Sequence, residues 1–196
     1  MSLQTFVFIG RSGCGKGTQA DLLKKYLEKN YPDHPIFYLE TGQGFRDFIK
    51  KDTYTSGLSK KMYEMAEPQP AFLAIWMWSH LLVENLKGNE HLIIDGTPRA
   101  YAESLVLVSA MKFYGRRLTV IYINVGRAWS EERIMGRGRA DDVEASDVKR
   151  RLDWFDTDIL PAVEYFRYSP ECNFYDINGE RTIEEIHQEM IKRLAI

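Results

Sequence analysis

The sequence predicts an α/β fold in which a parallel five-stranded sheet is covered on both faces by helices, and three observations carry that prediction. Short β-branched and aromatic runs alternate along the chain with longer segments of helical periodicity. Runs such as TFVFI and TVIYI are apolar almost throughout instead of alternating with polar residues, as expected of strands buried on both faces. The stretches between the runs are long enough for the crossover helices that parallel strands require.

Taken in order, the strands are expected at 3–9, 36–40, 91–95, 118–124 and 173–177. A helix over 16–30 places Leu22, Leu23, Tyr26 and Leu27 at helical spacing, and an aromatic-rich helix follows at 71–86. Its Phe72, Trp76 and Trp78 could offer a base-stacking surface, but large apolar side chains are assigned to core packing first. The stretch 144–167 reads as a long helix interrupted at Pro161, and 182–194 closes the chain with Ile183, Ile186, Met190 and Ile191 on one face. At 196 residues without a repeat, linker or low-complexity tract, one domain spanning 1–196 is expected.

A formal net charge of −2 supplies no global attraction to nucleic acid or an anionic membrane, so any phosphate ligand must be met by a local cluster of cations. The two cysteines, Cys14 and Cys172, form neither a disulfide framework nor a zinc pattern, which suits a reducing, cytoplasmic setting. The opening MSLQTFVFIG lacks the features of a secretory signal, and no run is long enough for a membrane span. A monomer is the default for a chain of this size.

The strongest local signal is Gly10-Arg11-Ser12-Gly13-Cys14-Gly15-Lys16-Gly17-Thr18, which follows the first strand and opens the first helix. Glycines let successive backbone N–H groups converge on phosphate oxygens, the helix start adds partial positive charge, and Lys16 reaches the outer phosphates. This segment resembles a P-loop, with Gly17 where a hydroxyl residue is usual and Thr18 immediately after. A P-loop alone leaves switch, motor, binding module and kinase open.

Three further segments narrow the choice. Ile93-Ile94-Asp95-Gly96-Thr97-Pro98-Arg99 sets a carboxylate at the end of a central strand, where it can hold Mg²⁺ partly through water, and an arginine fork four residues on. Thr41-Gly42-Gln43-Gly44-Phe45-Arg46 follows the second strand, although Thr41 could equally be a simple helix cap. Arg133-Ile134-Met135-Gly136-Arg137-Gly138-Arg139-Ala140-Asp141-Asp142, with Arg150-Arg151 beyond it, gathers guanidinium groups that could close over phosphate or form a solvated salt-bridge cluster.

Together these motifs resemble the adenylate kinase family of nucleoside monophosphate kinases, with GKGT, DGTPR and the arginine run matching most specifically. The resemblance implies a P-loop NTPase-type three-layer fold with a helical monophosphate-binding insert at about 41–82 and a short lid at about 136–143. It implies Mg²⁺-dependent transfer from ATP to AMP or another nucleoside monophosphate. Lys16, Arg99, Arg137, Arg139 and Arg151 would be catalytic. ATP would contact Gly10, Ser12, Gly13, Cys14, Gly15, Lys16, Gly17, Thr18, Arg133, Arg137 and, weakly signalled, Gly179. The monophosphate would contact Thr41, Arg46, Gln69, Gly96, Arg99, Glu103, Arg139 and Arg151, and Mg²⁺ would lie near Thr18 and Asp95. Two departures concern the acceptor base: Glu103 stands where the family has glutamine, and Glu67-Pro68-Gln69-Pro70 replaces a glycine-led segment. An ionised carboxylate only accepts hydrogen bonds, so CMP, UMP or another acceptor stays open beside AMP. A P-loop kinase for a small molecule without phosphate and a non-catalytic nucleotide-binding protein are the more distant readings.

Overall fold

The computed structural model describes residues 2–65, 67–136 and 145–196. Strand β1 (Thr5–Gly10) leads through the glycine turn into α1 (Lys16–Asn30). Strand β2 (Ile36–Glu40) runs directly into α2 (Thr41–Phe48), followed by α3 (Tyr54–Glu64) and α4 (Ala71–Asn85). Then come β3 (His91–Asp95), α5 (Tyr101–Phe113), β4 (Leu118–Asn124) and α6 (Arg127–Gly136). Helix α7 (Ala145–Trp154) continues through a π-helical turn, Phe155–Ile159, into α8 (Leu160–Tyr168), before β5 (Cys172–Asn178) and α9 (Ile183–Leu194).

The five strands form one sheet in the order β2-β3-β1-β4-β5, with every pairing parallel. This is the α/β three-layer arrangement expected from the apolar runs. The strand period of two divides β1 cleanly between two cores: Val7 and Ile9 face α4, α5 and α8, while Phe6 and Phe8 face α1 and α9. Each of these side chains is almost wholly buried. Removing one such side chain from water contributes ~1.5–3 kcal/mol, so this alternation fixes the register strongly.

Two sequence readings need correction. The stretch 144–167 changes geometry at Phe155, not at Pro161; Pro161 sits in the first turn of α8, directly after the π-helical turn. Of the three aromatics assigned to the core, only Trp78 is buried; Phe72 is 68% exposed and Trp76 42%. Trp76 instead stacks on His80 one turn later, at 5.3 Å and nearly parallel.

Parallel strands bring their carboxyl ends to one edge. There β1 delivers the glycine turn, β2 delivers Glu40 and β3 delivers Asp95, with Glu40 level with Asp95 and Phe8 of β1 also level with Asp95. The crossovers run in opposite directions from β1, so this edge is a switch point of the sheet, the place where open α/β sheets form ligand crevices. Phe45 and Phe48 of α2 pack on Leu73 and Met77 of α4, giving the segment between β2 and β3 a small core of its own. Ile134, Val148 and Leu152 do the same for α6 and α7.

Candidate active site

A cleft of about 490 Å³ opens at this sheet edge. The glycine turn with Lys16 and Thr18 forms one wall, Arg46 and Gln69 lie on another, and Asp95, Arg99, Arg133 and Arg151 converge from the remaining sides. The described arginines of the predicted site thus meet in one place although they come from α2, the loop after β3, α6 and α7.

Glycine is required in the turn itself. Gly13 and Gly15 have φ of 80° and 90°, in the left-handed region. A Cβ on Gly13 would also lie 3.0 Å from Ile134 Cγ1 and 3.0 Å from the Ser130 carbonyl, so the turn packs directly on α6. Gly15 caps α1 without a side chain, leaving the first N–H groups of a 15-residue helix directed at the cleft. Lys16 Nζ donates to the Arg11 carbonyl at 3.4 Å. Cys14, buried beneath the turn, has its thiol pushed up by that burial despite the opposing charge of Lys16, so it packs as a neutral group.

Asp95 sits across from the lysine. Tyr38 donates its hydroxyl to Asp95 Oδ2 at 3.3 Å, and burial followed by the Asp95 charge raises the Tyr38 phenol so that it stays a donor. Asp95 Oδ1 is buried without a hydrogen-bond partner among the described residues. A Cβ on Gly17, next to Thr18, would lie 3.3 Å from Asp95 Oδ2. A buried carboxylate oxygen without a partner among the described residues suits a hard divalent cation.

Arg99 is held in place before any ligand arrives. Its Nε donates to the Gly96 carbonyl at 2.7 Å, and its guanidinium lies 5.7 Å from the centre of the Trp154 ring. Gly96, at φ 86°, makes room for it, since a Cβ there would meet Arg99 Nη2 at 3.2 Å. Burial lowers the Arg99 pKa, with Glu103 and Asp95 opposing that shift. Arg46 pairs with Glu40 at 2.7 Å, and its Nε donates to Gln43 Oε1 at 3.0 Å. Thr41 is the first residue of α2, not its cap; Glu40 holds the cap position, and the buried Thr41 hydroxyl has no hydrogen-bond partner among the described residues. Arg133 lies over the Trp129 ring at 4.8 Å. Arg151 lines the cleft, whereas the neighbouring Arg150 turns to Asp147 and to the Met65 carbonyl.

Other predicted site residues fall differently. Gln69 is tied to Ser59, accepting from its hydroxyl at 2.7 Å and donating to its carbonyl at 3.0 Å. Glu103 is buried on the first turn of α5, accepts from Thr97 Oγ1 at 3.4 Å, and does not line the cleft. Burial raises its carboxyl pKa, with the Arg99 charge opposing. Gly179 is buried away from the cleft: its N–H donates to Asn124 at 2.8 Å, and a Cβ would collide with Ile123 and Val125 at 2.7 Å. Its glycine is explained by packing. Arg137, Arg139, Asp141 and Asp142 lie outside the described residues. Tyr38, Glu40 and Trp154 were not singled out by the sequence; each belongs to the site only because the fold sets it beside Asp95, Arg46 or Arg99.

The family model described as adenylate kinase matches residues 8–170. A protein named adenylate kinase from Mycobacterium leprae is 30% identical, covering 96% of this chain and 98% of its own length. One of the same name from Leptospira biflexa serovar Patoc is 29% identical over 98% of this chain and 100% of its own. Adenylate kinase 1 of a Nostoc species is 28% identical over 94% and 95%. With the cleft built from the elements this match spans, the chain belongs to the adenylate kinase family.

Proposed function

We propose that the chain transfers the terminal phosphoryl group of ATP to AMP, giving two molecules of ADP. The observation that carries this reading is the pairing, across one cleft, of a helix-start phosphate cradle with Arg46, Arg99 and Arg151. A nucleotide switch or simple binding module has no use for a second cationic wall. The names of the relatives support the same reading.

In this mechanism an oxygen of the acceptor phosphate attacks the γ-phosphorus, the bond to the β,γ-bridging oxygen breaks, and ADP leaves with that electron pair. No protein nucleophile takes part. The protein's contribution is to align two polyanions and neutralise charge where it develops. Lys16 and the N–H groups around Gly13 and Gly15 hold the donor phosphates. Arg99, fixed by Gly96 and Trp154, addresses the acceptor phosphate together with Arg46 and the unpartnered hydroxyl of Thr41. Arg151 approaches the transferring group, with Arg137 and Arg139 assigned the same task by family resemblance, while Arg133, lying over Trp129, meets the donor base. Asp95 and Thr18 would hold Mg²⁺, which when bound screens the donor phosphates. We assign 41–82 as the acceptor-binding insert and 136–143 as the lid. A cytoplasmic, monomeric enzyme is the setting this reading implies.

The test is a coupled assay of ADP formation from ATP against AMP, CMP, UMP, GMP and dTMP, with and without Mg²⁺. AMP should be the best acceptor and activity should vanish without Mg²⁺. Equal rates with and without every acceptor would make the protein an ATPase and defeat the reading.

A further inference from the structure

Arg11 is the one cation of the glycine turn whose side chain leaves the cleft. It does not line the cavity, although Gly10, Ser12 and Gly13 around it do. Its guanidinium runs instead to the π-helical turn, pairing with Asp156 at 2.6 Å and lying 4.3 Å from the centre of the Phe155 ring. Its Nε donates to the Val125 carbonyl at 3.3 Å. The side chain is only 14% exposed.

The main chain of the same residue faces the other way. The Arg11 carbonyl accepts from Lys16 Nζ at 3.4 Å and from the Cys14 N–H at 3.2 Å. Arg11 therefore touches the phosphate-binding lysine with its backbone and the helix after α7 with its side chain.

From Asp156 the connections continue. Its second oxygen accepts from Arg127 Nη1 at 2.9 Å, and Arg127 Nη2 pairs with Asp153 at 2.6 Å. Asp153 also takes Lys149 at 2.6 Å. Arg127 begins α6, which carries Arg133, and Asp153 lies two residues beyond Arg151 on α7. Ile134 packing on Val148 and Leu152 fastens the two helices together. Asp156 itself sits where the chain takes π geometry, an interruption of the α-helical ladder that is frequent at functional sites.

We propose that the Arg11–Asp156 ion pair couples occupancy of the glycine turn to the placement of α6 and α7, making Arg11 and Asp156 positioning residues for Arg133 and Arg151. When Lys16 turns from the Arg11 carbonyl to a phosphate, the turn readjusts, and the Asp156 link carries that adjustment to the helices. The Asp156 carboxyl is held below the usual carboxylate range first by its hydrogen bond from Arg11, so the pair stays charged near neutrality. The Asp156 link also draws the Arg11 cation away from the phosphates and toward the helices.

The inference rests on the reading that the turn binds a nucleoside triphosphate, and the test separates the two. Hydrogen exchange of the full chain is measured with and without magnesium adenylyl imidodiphosphate, for wild type, Asp156→Asn and Arg11→Lys. Asparagine keeps the size of Asp156 without its charge, and lysine keeps the charge of Arg11 without its fork or stacking. In wild type, ligand should protect both the turn and Ala145–Trp154. In both variants protection of the turn should persist while the gain at α7 is largely lost. The turnover number should fall about tenfold, equivalent to about 1.4 kcal/mol of lost transition-state stabilisation, with KM for ATP within about twofold. A merely structural role would lower the melting temperature without removing the ligand-induced gain at α7. Full α7 protection with near wild-type turnover in either variant overturns the coupling. A wild-type turn that gains no protection overturns the triphosphate reading, and the coupling with it.

Discussion

Replacing Arg99 tests the acceptor side most sharply, because this guanidinium is fixed in advance. One nitrogen is committed to the Gly96 carbonyl at 2.7 Å, and the plane is supported by Trp154 at 5.7 Å, so little rotamer freedom remains to be lost when phosphate arrives. The remaining N–H groups can offer two charge-assisted hydrogen bonds to phosphate, each contributing about 1.5–3 kcal/mol. Two such bonds, together about 3–6 kcal/mol, correspond to a loss of roughly 10²–10⁴ in turnover if both are made in the transition state. Arg99→Met preserves much of the volume beside Trp154 while removing every donor. Steady-state ADP formation should fall by that factor, with KM for ATP nearly unchanged, because the donor is held by the glycine turn. The fold should survive: the buried Glu103, whose charge interacts with Arg99, already has its pKa raised by burial and can protonate once the cation is gone. A variant with a native melting profile and a turnover loss below tenfold would refute the role given to Arg99.

Gly13→Ala should destabilise the protein by about 1–2 kcal/mol from its left-handed backbone alone, more with the Ile134 contact, and should raise KM for ATP, as read by urea titration and kinetics. Trp78→Ala, at a wholly buried indole, should cost about 3–5 kcal/mol in the same titration. His91 is buried, accepts from the Gln4 N–H at 3.0 Å through Nδ1, and has its pKa lowered by burial and then by His34 and Arg116. The folded state thus prefers neutral imidazole. Its stabilising contribution is present above the unfolded pKa of about 6.5 and is lost as pH falls below it. Denaturation midpoints measured from pH 7.5 down to 5 should decline, and His91→Gln should flatten part of that decline; parallel curves would remove His91 as a cause.

The sheet was legible because its signal is local: TFVFI and TVIYI announce strands without reference to anything distant. The bounds of β2, β3 and β4 are as read, whereas β1 begins at Thr5 rather than at residue 3. There the Gln4 N–H goes to the His91 ring instead of a strand partner. The π-helical turn was not legible, since Phe155–Ile159 has ordinary helical composition and the proline drew attention downstream. Helices α5 and α6 went unnoticed for a different reason: α5 is apolar over much of its surface, with Leu105 and Val106 partly exposed, so its sequence shows no clean stripe.

That the glycine turn, Lys16, Asp95 and Arg99 share one cleft was readable because they sit in compact motifs whose spacing dictates geometry. The surroundings of Glu103 and Gln69 were not. Whether Glu103 faces a ligand or its own backbone depends on the rotamer it takes at the start of α5, and the structure turns it toward Thr97. Gln69 is likewise engaged by Ser59, ten positions away on α3, a partner no motif names. Trp154 and Tyr38 become site residues only through contacts with Arg99 and Asp95, which sequence spacing does not encode.

The central claim is that one cleft receives two nucleotides with their phosphates facing. Titration calorimetry with di(adenosine) pentaphosphate, which joins both halves in one molecule, addresses it directly. One ligand should bind per chain, far more tightly than ATP or AMP, and either nucleotide should displace it. Binding no tighter than ATP, and unaffected by AMP, would contradict it.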